Sequence, residues 1–270
     1  MKQLFTAGFV GCGHMGGALA TAAMRAVGAD AVAVYDPNEQ KTASYEQMGA
    51  TRLCAEDVAR RCRFLFLGVK PQVVPQALAD IRAGLLDNPD VILVSMAAAV
   101  SIASLKDTLL GLGIDRPVIR IMPNTPSAVG QGMTVYAASA DTPSDAIDDF
   151  CRVMRASGDL LALDEAKIDA AGTVAGCGPA FAYMFAEALA DGGVACGLSR
   201  EEAARLSAQM LLGAATMLKT YGHPADLKDA VCSPGGTTIE GVHALEKNGL
   251  RAAVMSAVTA AYDKTLRMKK

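Results

Sequence analysis

The sequence predicts an α/β domain built on a parallel sheet, followed by an all-helical domain. Strand patterns alternate with helix patterns up to Asp164, and only helix patterns follow it. A glycine-rich turn directly after the first strand supports the same fold class. We place the boundary between positions 162 and 163, which gives domains 1–162 and 163–270.

Composition limits the classes of protein and partner. The chain has 270 residues, of which 51% are hydrophobic, enough to form the cores of two domains. Its net charge of −3 and its lack of a basic cluster argue against a nucleic-acid partner. The apolar segment 4–24 is interrupted by glycines and His14, so we do not expect it to enter a membrane.

Cysteine and histidine are dispersed along the chain. The seven cysteines form no CxxC pair, and the three histidines show no spacing typical of metal ligands. We expect reduced cysteines, no metal site and a cytoplasmic location.

The strand and helix patterns can be assigned in order. Short apolar runs predict strands at 4–10, 31–35, 64–69, 91–96, 118–122 and 133–138. Helical patterns follow at 166–175, 179–196, 200–221, 225–231, 238–247 and 250–267.

The first strand leads into a GxGxxG motif and then into a helix. Gly11 would form the tight turn, Gly13 would let the backbone approach a pyrophosphate, and Gly16 would allow the helix to pack closely on the strand. This strand, turn and helix are typical of a Rossmann-type dinucleotide-binding domain. The predicted cofactor contacts in this turn are Gly11, Cys12, Gly13, His14, Met15 and Gly16.

The second strand ends at Asp36, about 20 residues after the last glycine of the motif, where a carboxylate would accept hydrogen bonds from an adenosine ribose. Its charge would repel a 2′-phosphate, and no arginine follows closely to neutralise it. We therefore expect NAD(P)H as the cofactor, with NADH preferred over NADPH. Lys41 is the nearest cation, and a contact between it and a phosphate is the alternative.

Three further turns follow the third, fourth and fifth strands, where an α/β sheet binds its ligands. Small residues after the fourth strand would let a nicotinamide ring lie against the backbone, and Asn124 would bond its ribose or carboxamide. A solvated Lys70 is an equal alternative to a cofactor contact, because Pro71 already accounts for its turn. The predicted contacts here are Val69, Lys70, Pro71, Met96, Ala97, Ala98 and Asn124.

The predicted helices after Asp164 are rich in alanine, glycine, leucine and methionine on more than one face. So little polar surface on a domain of this size predicts that much of it is buried against a second copy. We expect an intertwined homodimer, with a monomeric helical bundle as the alternative.

The segment 233–238 predicts an anion site at a helix N-terminus. Pro234 fixes a backbone angle, and the two glycines after it expose N–H groups to a ligand such as a small carboxylate. Thr237 and Glu240 have the spacing of a capping box, which would leave the Thr238 hydroxyl free for substrate. A loop that serves only to start the helix is the alternative.

These motifs together resemble the pyrroline-5-carboxylate reductase family over nearly the whole chain. Besides the glycine turn and Val69-Lys70-Pro71, they are Arg120-Ile121-Met122-Pro123-Asn124-Thr125-Pro126, Gly176-Cys177-Gly178-Pro179-Ala180-Phe181, Ala190-Asp191-Gly192-Gly193-Val194 and the segment from Asp226 to Thr238.

The resemblance implies reduction of 1-pyrroline-5-carboxylate to L-proline by NAD(P)H, the last step of proline biosynthesis. It implies a helical dimerisation domain, sites at a dimer interface and, in some members, a ring of five dimers. It makes Thr238 the residue that hydrogen-bonds the ring nitrogen. The substrate-binding residues that it implies are Val231, Ser233, Gly235, Gly236, Thr237 and Thr238.

The chain departs from the family pattern at two positions. Ala99 stands where the family commonly has glycine, which would narrow the pocket, and Asp36 is not the residue common at its position.

Two rival functions remain. A β-hydroxyacid-dehydrogenase-like oxidoreductase would use a lysine on the first interdomain helix, but no lysine lies between Lys167 and Lys219. A non-catalytic dinucleotide sensor would not need the segment 233–238.

Overall fold

The computed structural model describes residues 4–268, so the outer limits 1 and 270 of the two predicted domains lie outside the described residues. Contacts divide the chain into two compact units: Met1–Cys177 with Tyr262–Lys270, and Gly178–Ala261. The predicted boundary at 162/163 coincides with the end of the last strand. The units divide later, after Cys177, because the next helix packs against the sheet.

The first unit contains a mixed sheet, which in the described chain has eight strands in the order β3-β2-β1-β4-β5-β6-β7-β8. Strands β1 to β6 are parallel, whereas β7 is antiparallel to β6 and β8 is parallel to β7. The strands are β1 Phe5–Val10, β2 Val32–Tyr35, β3 Thr51–Arg52, β4 Cys62–Leu67, β5 Ile92–Ser95, β6 Val118–Met122, β7 Gly132–Ala138 and β8 Gly158–Ala162.

All six predicted strands are present, and two further strands were missed. Strand β3 is only two residues long, and β8 is half-exposed, so neither has the apolar pattern used for the prediction. The prediction of a parallel sheet fails at one strand, β7, which is antiparallel to β6. A short loop with one 3₁₀ turn, Thr125–Val129, joins β6 to β7 and is too short for the crossover that parallel neighbours require.

Helices cover both faces of the sheet. One face carries an apolar layer in which the Phe9 and Phe66 rings stack at 4.5 Å, and the other face buries Leu65 and Leu67. The helices of this unit are α1 His14–Val27, α2 Ala43–Gln47, α3 Ala55–Arg61, α4 Val74–Asp80, α5 Arg82–Leu86, α6 Ile102–Gly111, α7 Ser144–Met154 and α8 Glu165–Ala175.

The second unit is helical, as the sequence predicts. The Ser207 hydroxyl on α10 donates to the Ala186 carbonyl on α9 at 2.7 Å and so joins these two helices. No helix among the described residues is long and apolar enough to cross a membrane. The helices that follow α8 are α9 Gly178–Ala195, α10 Arg200–Tyr221, α11 Pro224–Val231, α12 Thr237–Lys247 and α13 Leu250–Met268, whose last residues group with the first unit.

Large apolar side chains are exposed on the helical unit. Tyr183, Met184 and Met255 are each more than 60% exposed, which is unusual for side chains of this size on a monomer. The predicted apolar faces are therefore present on the folded unit.

A buried ion-pair network fastens α8 to the sheet. The Arg120 guanidinium on β6 donates to Asp169 Oδ1 at 2.5 Å and to Glu165 Oε1 at 3.2 Å. The side chains of Arg120 and Asp169 are 2% and 1% exposed. A buried charge that loses its partner is strongly destabilising, so this network holds α8 in place.

We predict that Asp169→Ala lowers the free energy of unfolding by about 3 kcal/mol, because the buried Arg120 guanidinium loses a carboxylate that balances its charge. Lys167→Ala is the control on the same helix. Lys167 forms an exposed ion pair with Asp164 at 3.1 Å, and its loss should cost less than about 1 kcal/mol. Urea denaturation at one protein concentration measures both. Equal losses in the two variants would contradict the prediction.

Candidate active site

Close backbone contacts shape the glycine turn. Gly11 has φ +98° and donates its N–H to the Tyr35 carbonyl at 2.8 Å. A Cβ on Gly16 would lie 2.1 Å from the Gly11 carbonyl oxygen. Gly11 and Gly16 must therefore be glycines for α1 to start against β1, as the sequence predicts.

Gly13 differs, because a Cβ there would meet nothing within 4 Å. It is the N-cap of α1 and no side chain caps this helix. Open space thus lies beside uncapped N–H groups at the positive end of α1, which is the arrangement that binds a pyrophosphate. Of the other predicted contacts in the turn, Cys12 is buried, Met15 is half-buried and His14 is exposed.

Asp36 makes contacts that the sequence did not reveal. Its Oδ2 accepts the Cys12 N–H at 2.9 Å, and its Oδ1 accepts the Asn38 N–H at 3.0 Å. Lys41 Nζ lies 3.6 Å from Oδ1. The carboxylate is buried and ties the end of β2 to the glycine turn, while its predicted contact with a ribose stays a prediction.

The Cys12 thiol beside this carboxylate is unreactive. Burial, and secondly the negative charge of Asp36, raise the pKa of Cys12 to about 12. The thiol is therefore neutral at physiological pH and neither attacks a ligand nor adds charge to the turn. All seven cysteines are free of disulfide bonds in the structure.

The turn after β4 lies at the same edge of the sheet. Val69 is half-buried, Lys70 is exposed, and Pro71 begins a 3₁₀ turn. The exposed lysine accords with both the cofactor contact and the solvated side chain that the sequence left open.

The loop after β5 contains a backbone conformation that accounts for the glycine common in the family at position 99. Ala99 has φ +62°, a left-handed conformation that favours glycine. The Val100 N–H donates to the Ala97 carbonyl at 3.4 Å across this turn. Met96 and Ala98 are half-buried and Ala97 is buried. Alanine at position 99 therefore carries a conformational cost that glycine would avoid, while the narrowing of the pocket stays a prediction.

Asn124 is buried and bridges three segments. Its Nδ2 donates to the Ala175 carbonyl at the end of α8 at 2.9 Å, and its Oδ1 accepts the Met133 N–H at the start of β7 at 2.9 Å. The sequence predicted a contact with the nicotinamide end of the cofactor and missed both bonds. One amide hydrogen is left for that contact, which stays a prediction.

The segment 233–236 in the helical unit forms a tight turn. The Gly236 N–H donates to the Ser233 carbonyl at 3.0 Å, and Gly235 has φ +67°. Proline followed by a glycine of positive φ is the pattern of a type II turn. A Cβ on Gly236 would lie 2.4 Å from Ser233 Oγ, so glycine leaves space for this hydroxyl.

The predicted capping box was wrong. Gly236 is the N-cap of α12, Thr237 is its first helical residue, and no side chain caps this helix. The turn closes at Gly236 and the helix starts immediately, which leaves Thr237 inside the helix, where it cannot act as the N-cap. The first-turn N–H groups of α12 are therefore available to an anion, beside the exposed Thr238.

The predicted contacts fall into two groups, one in each compact unit. The cofactor group lies at the carboxyl edge of the sheet, and the second group lies around the start of α12. Val231, Ser233, Gly235 and Thr237 are exposed and Gly236 is half-buried. The described residues contain no group of three histidine, cysteine, aspartate or glutamate side chains that could hold a metal ion.

Comparisons with known proteins cover both units. Residues 165–268 match the model for pyrroline-5-carboxylate reductase dimerisation, and residues 6–99 match the model described as NADP oxidoreductase, coenzyme F420-dependent. The pyrroline-5-carboxylate reductase of Escherichia coli is 40% identical over 269 residues, which cover 97% of this chain and 98% of that protein. The chain belongs to the pyrroline-5-carboxylate reductase family.

Other members of the reductase family agree with this assignment. The pyrroline-5-carboxylate reductase of Pisum sativum is 40% identical over 265 residues, 97% of this chain and 95% of that protein. The crystal structure of the Plasmodium falciparum pyrroline carboxylate reductase with NADP bound has a TM-score of 0.86 at 32% identity and covers 98% of both chains.

We predict that Gly13→Ala weakens dinucleotide binding at least about tenfold, because the new methyl group enters the space beside the α1 N-terminus. The fold should stay intact, since the methyl group meets no protein atom within 4 Å. Gly111→Ala, at another position with no neighbour within 4 Å, is the control and should leave the affinity unchanged. Calorimetric titration with NADH measures binding, and unchanged affinity in Gly13→Ala would refute the assignment.

Proposed function

We propose that the protein reduces 1-pyrroline-5-carboxylate to L-proline with NAD(P)H, the final step of proline biosynthesis. The observation that carries this proposal is the uncapped start of α12 after the turn at 233–236, in a chain that also contains the dinucleotide turn. Membership of the reductase family over nearly the whole chain supports it.

The sheet unit binds and orients the cofactor, which supplies the hydride. The N–H groups at the start of α1 hold the pyrophosphate, and Gly13 lets it approach. The loops after β4, β5 and β6 lie at the same edge and hold the nicotinamide end through Val69, Met96 and Asn124.

The helical unit binds the substrate carboxylate. Gly236 N–H already bonds Ser233, so the donors are the N–H groups of Thr237 and Thr238, aided by the positive end of α12. The Thr238 hydroxyl then bonds the ring nitrogen. The imine carbon would accept the hydride, and the nitrogen either carries its proton when the substrate binds or takes it through Thr238 or water. Holding two reactants in line contributes roughly 7 to 11 kcal/mol, so no strong general base is required.

The rival functions have less support. A β-hydroxyacid-dehydrogenase-like reaction would need a lysine between α8 and α10, and none lies between Lys167 and Lys219. A non-catalytic sensor has no use for an uncapped helix start beside Thr238. Oxidation of NADH in the presence of pyrroline-5-carboxylate, followed by absorbance, tests the proposed activity directly.

We also propose that the protein is an intertwined homodimer, assembled in a ring of five dimers, in the cytoplasm. The exposed Tyr183, Met184 and Met255 and the match to a dimerisation model support self-association. The seven free cysteines accord with a reducing compartment. Sedimentation velocity would separate monomer, dimer and ring.

We predict that Thr238→Ala lowers kcat/KM for pyrroline-5-carboxylate on the order of 10²-fold, because it removes the hydroxyl that bonds the ring nitrogen. Thr238→Ser keeps the hydroxyl and should recover most of the rate. NADH affinity should be unchanged in both variants. Full activity of Thr238→Ala would exclude this role.

We predict that kcat/KM is about threefold higher with NADH than with NADPH. The negative charge of Asp36 repels a 2′-phosphate by about 1 kcal/mol, which alone would give a factor of about five, and Lys41 partly offsets this repulsion. Asp36→Asn retains an oxygen for the Cys12 N–H but removes the charge, so the ratio should fall towards one. A wild-type preference for NADPH would show that Asp36 does not select the cofactor.

A further inference from the structure

One carboxylate oxygen of the buried network serves a second helix. Glu165 Oε1, at the start of α8, accepts the Ile102 N–H at 2.7 Å as well as the Arg120 guanidinium. Ile102 is the first residue of α6, and the Ser101 hydroxyl that caps α6 accepts the Ser104 N–H instead. Glu165 therefore satisfies a helix N–H that the cap leaves unbonded.

The bond to Ile102 fixes one end of the loop after β5. The other end is fixed in the sheet, where Ser95, the last residue of β5, lies beside Arg120 of β6. Arg120 and Glu165 bond each other, so a single network holds both ends of the loop 96–101.

The loop itself has few bonds that would define its shape. The hydrogen bond from the Val100 N–H to the Ala97 carbonyl is long, at 3.4 Å. Ala99 is in a left-handed conformation that is costly for alanine. The hydrogen bond from the Ala97 N–H to Ser95 Oγ is also long, at 3.3 Å. Its conformation therefore depends on the two anchors.

We propose that Glu165 is a positioning residue for the nicotinamide end of the cofactor, acting through the loop 96–101. The inference rests on the proposed function, which places the loop after β5, through Met96, at the nicotinamide end of the cofactor. Glu165 acts through the Ile102 N–H and the Arg120 guanidinium and is not a catalytic residue.

Fragments of the cofactor test this role. ADP-ribose contains the pyrophosphate that binds the glycine turn but lacks the nicotinamide, whereas NADH contains both. Glu165→Ala should weaken NADH binding about tenfold, the effect of losing one helix-terminal hydrogen bond, and should change ADP-ribose binding less than about twofold. Glu165→Gln keeps an oxygen for the Ile102 N–H and should recover NADH affinity to within about threefold. Calorimetry measures all of these dissociation constants.

Lys106→Met is the matched control, because it removes ion pairs to Asp115 and Asp141 from the same helix α6 without touching the loop. The ratio of the two dissociation constants should not change in this variant, even if its melting temperature falls as far as that of Glu165→Ala. Equal weakening of NADH and ADP-ribose in Glu165→Ala, or no weakening of either, would overturn the inference.

These titrations test the positioning role of Glu165 independently of the proposed reaction, because neither contains pyrroline-5-carboxylate. A protein that shows the expected ratio but reduces no pyrroline-5-carboxylate would remove the proposed reaction and support the positioning role. A wild-type protein that binds neither NADH nor ADP-ribose would overturn both.

Discussion

Three backbone segments meet at Gly11, Gly16 and Gly68 so closely that no side chain would fit between them. A Cβ on Gly16 or on Gly68 would lie 2.1 or 2.2 Å from the Gly11 carbonyl oxygen. This contact brings the start of α1 against the ends of β1 and β4. It directs the uncapped N–H groups of α1 to the carboxyl edge of the sheet, where the loops after the other strands begin. The remaining features of the cofactor site depend on that placement.

Backbone groups, rather than acids and bases, dominate both groups of predicted contacts, one in each compact unit. Helices α1 and α12 each begin at a glycine N-cap with no side-chain cap, so each presents N–H groups and a helix dipole to an anion. The Cys12 thiol close to the turn is kept neutral by burial. Such a site suits hydride transfer to a bound imine, in which orientation contributes more than proton transfer.

The sequence predicted the features that depend on neighbouring residues and missed those that depend on distant ones. The glycine turn, six of the eight described strands and the helices after Asp164 follow from local patterns. The bonds from Asn124 to Ala175 and from Arg120 to Asp169 join residues 51 and 49 positions apart, and no pattern in the chain marks them. The capping box failed because Gly236, which closes a turn, takes the N-cap position before Thr237.

A crystal structure of the protein with NADH and L-proline bound gives the most direct test. The pyrophosphate should accept hydrogen bonds at the start of α1 over Gly13, and the proline carboxylate should accept them from the first turn of α12, with the proline ring against the nicotinamide. A pyrophosphate bound away from α1, or a proline carboxylate far from α12 in every subunit, would contradict the site described above.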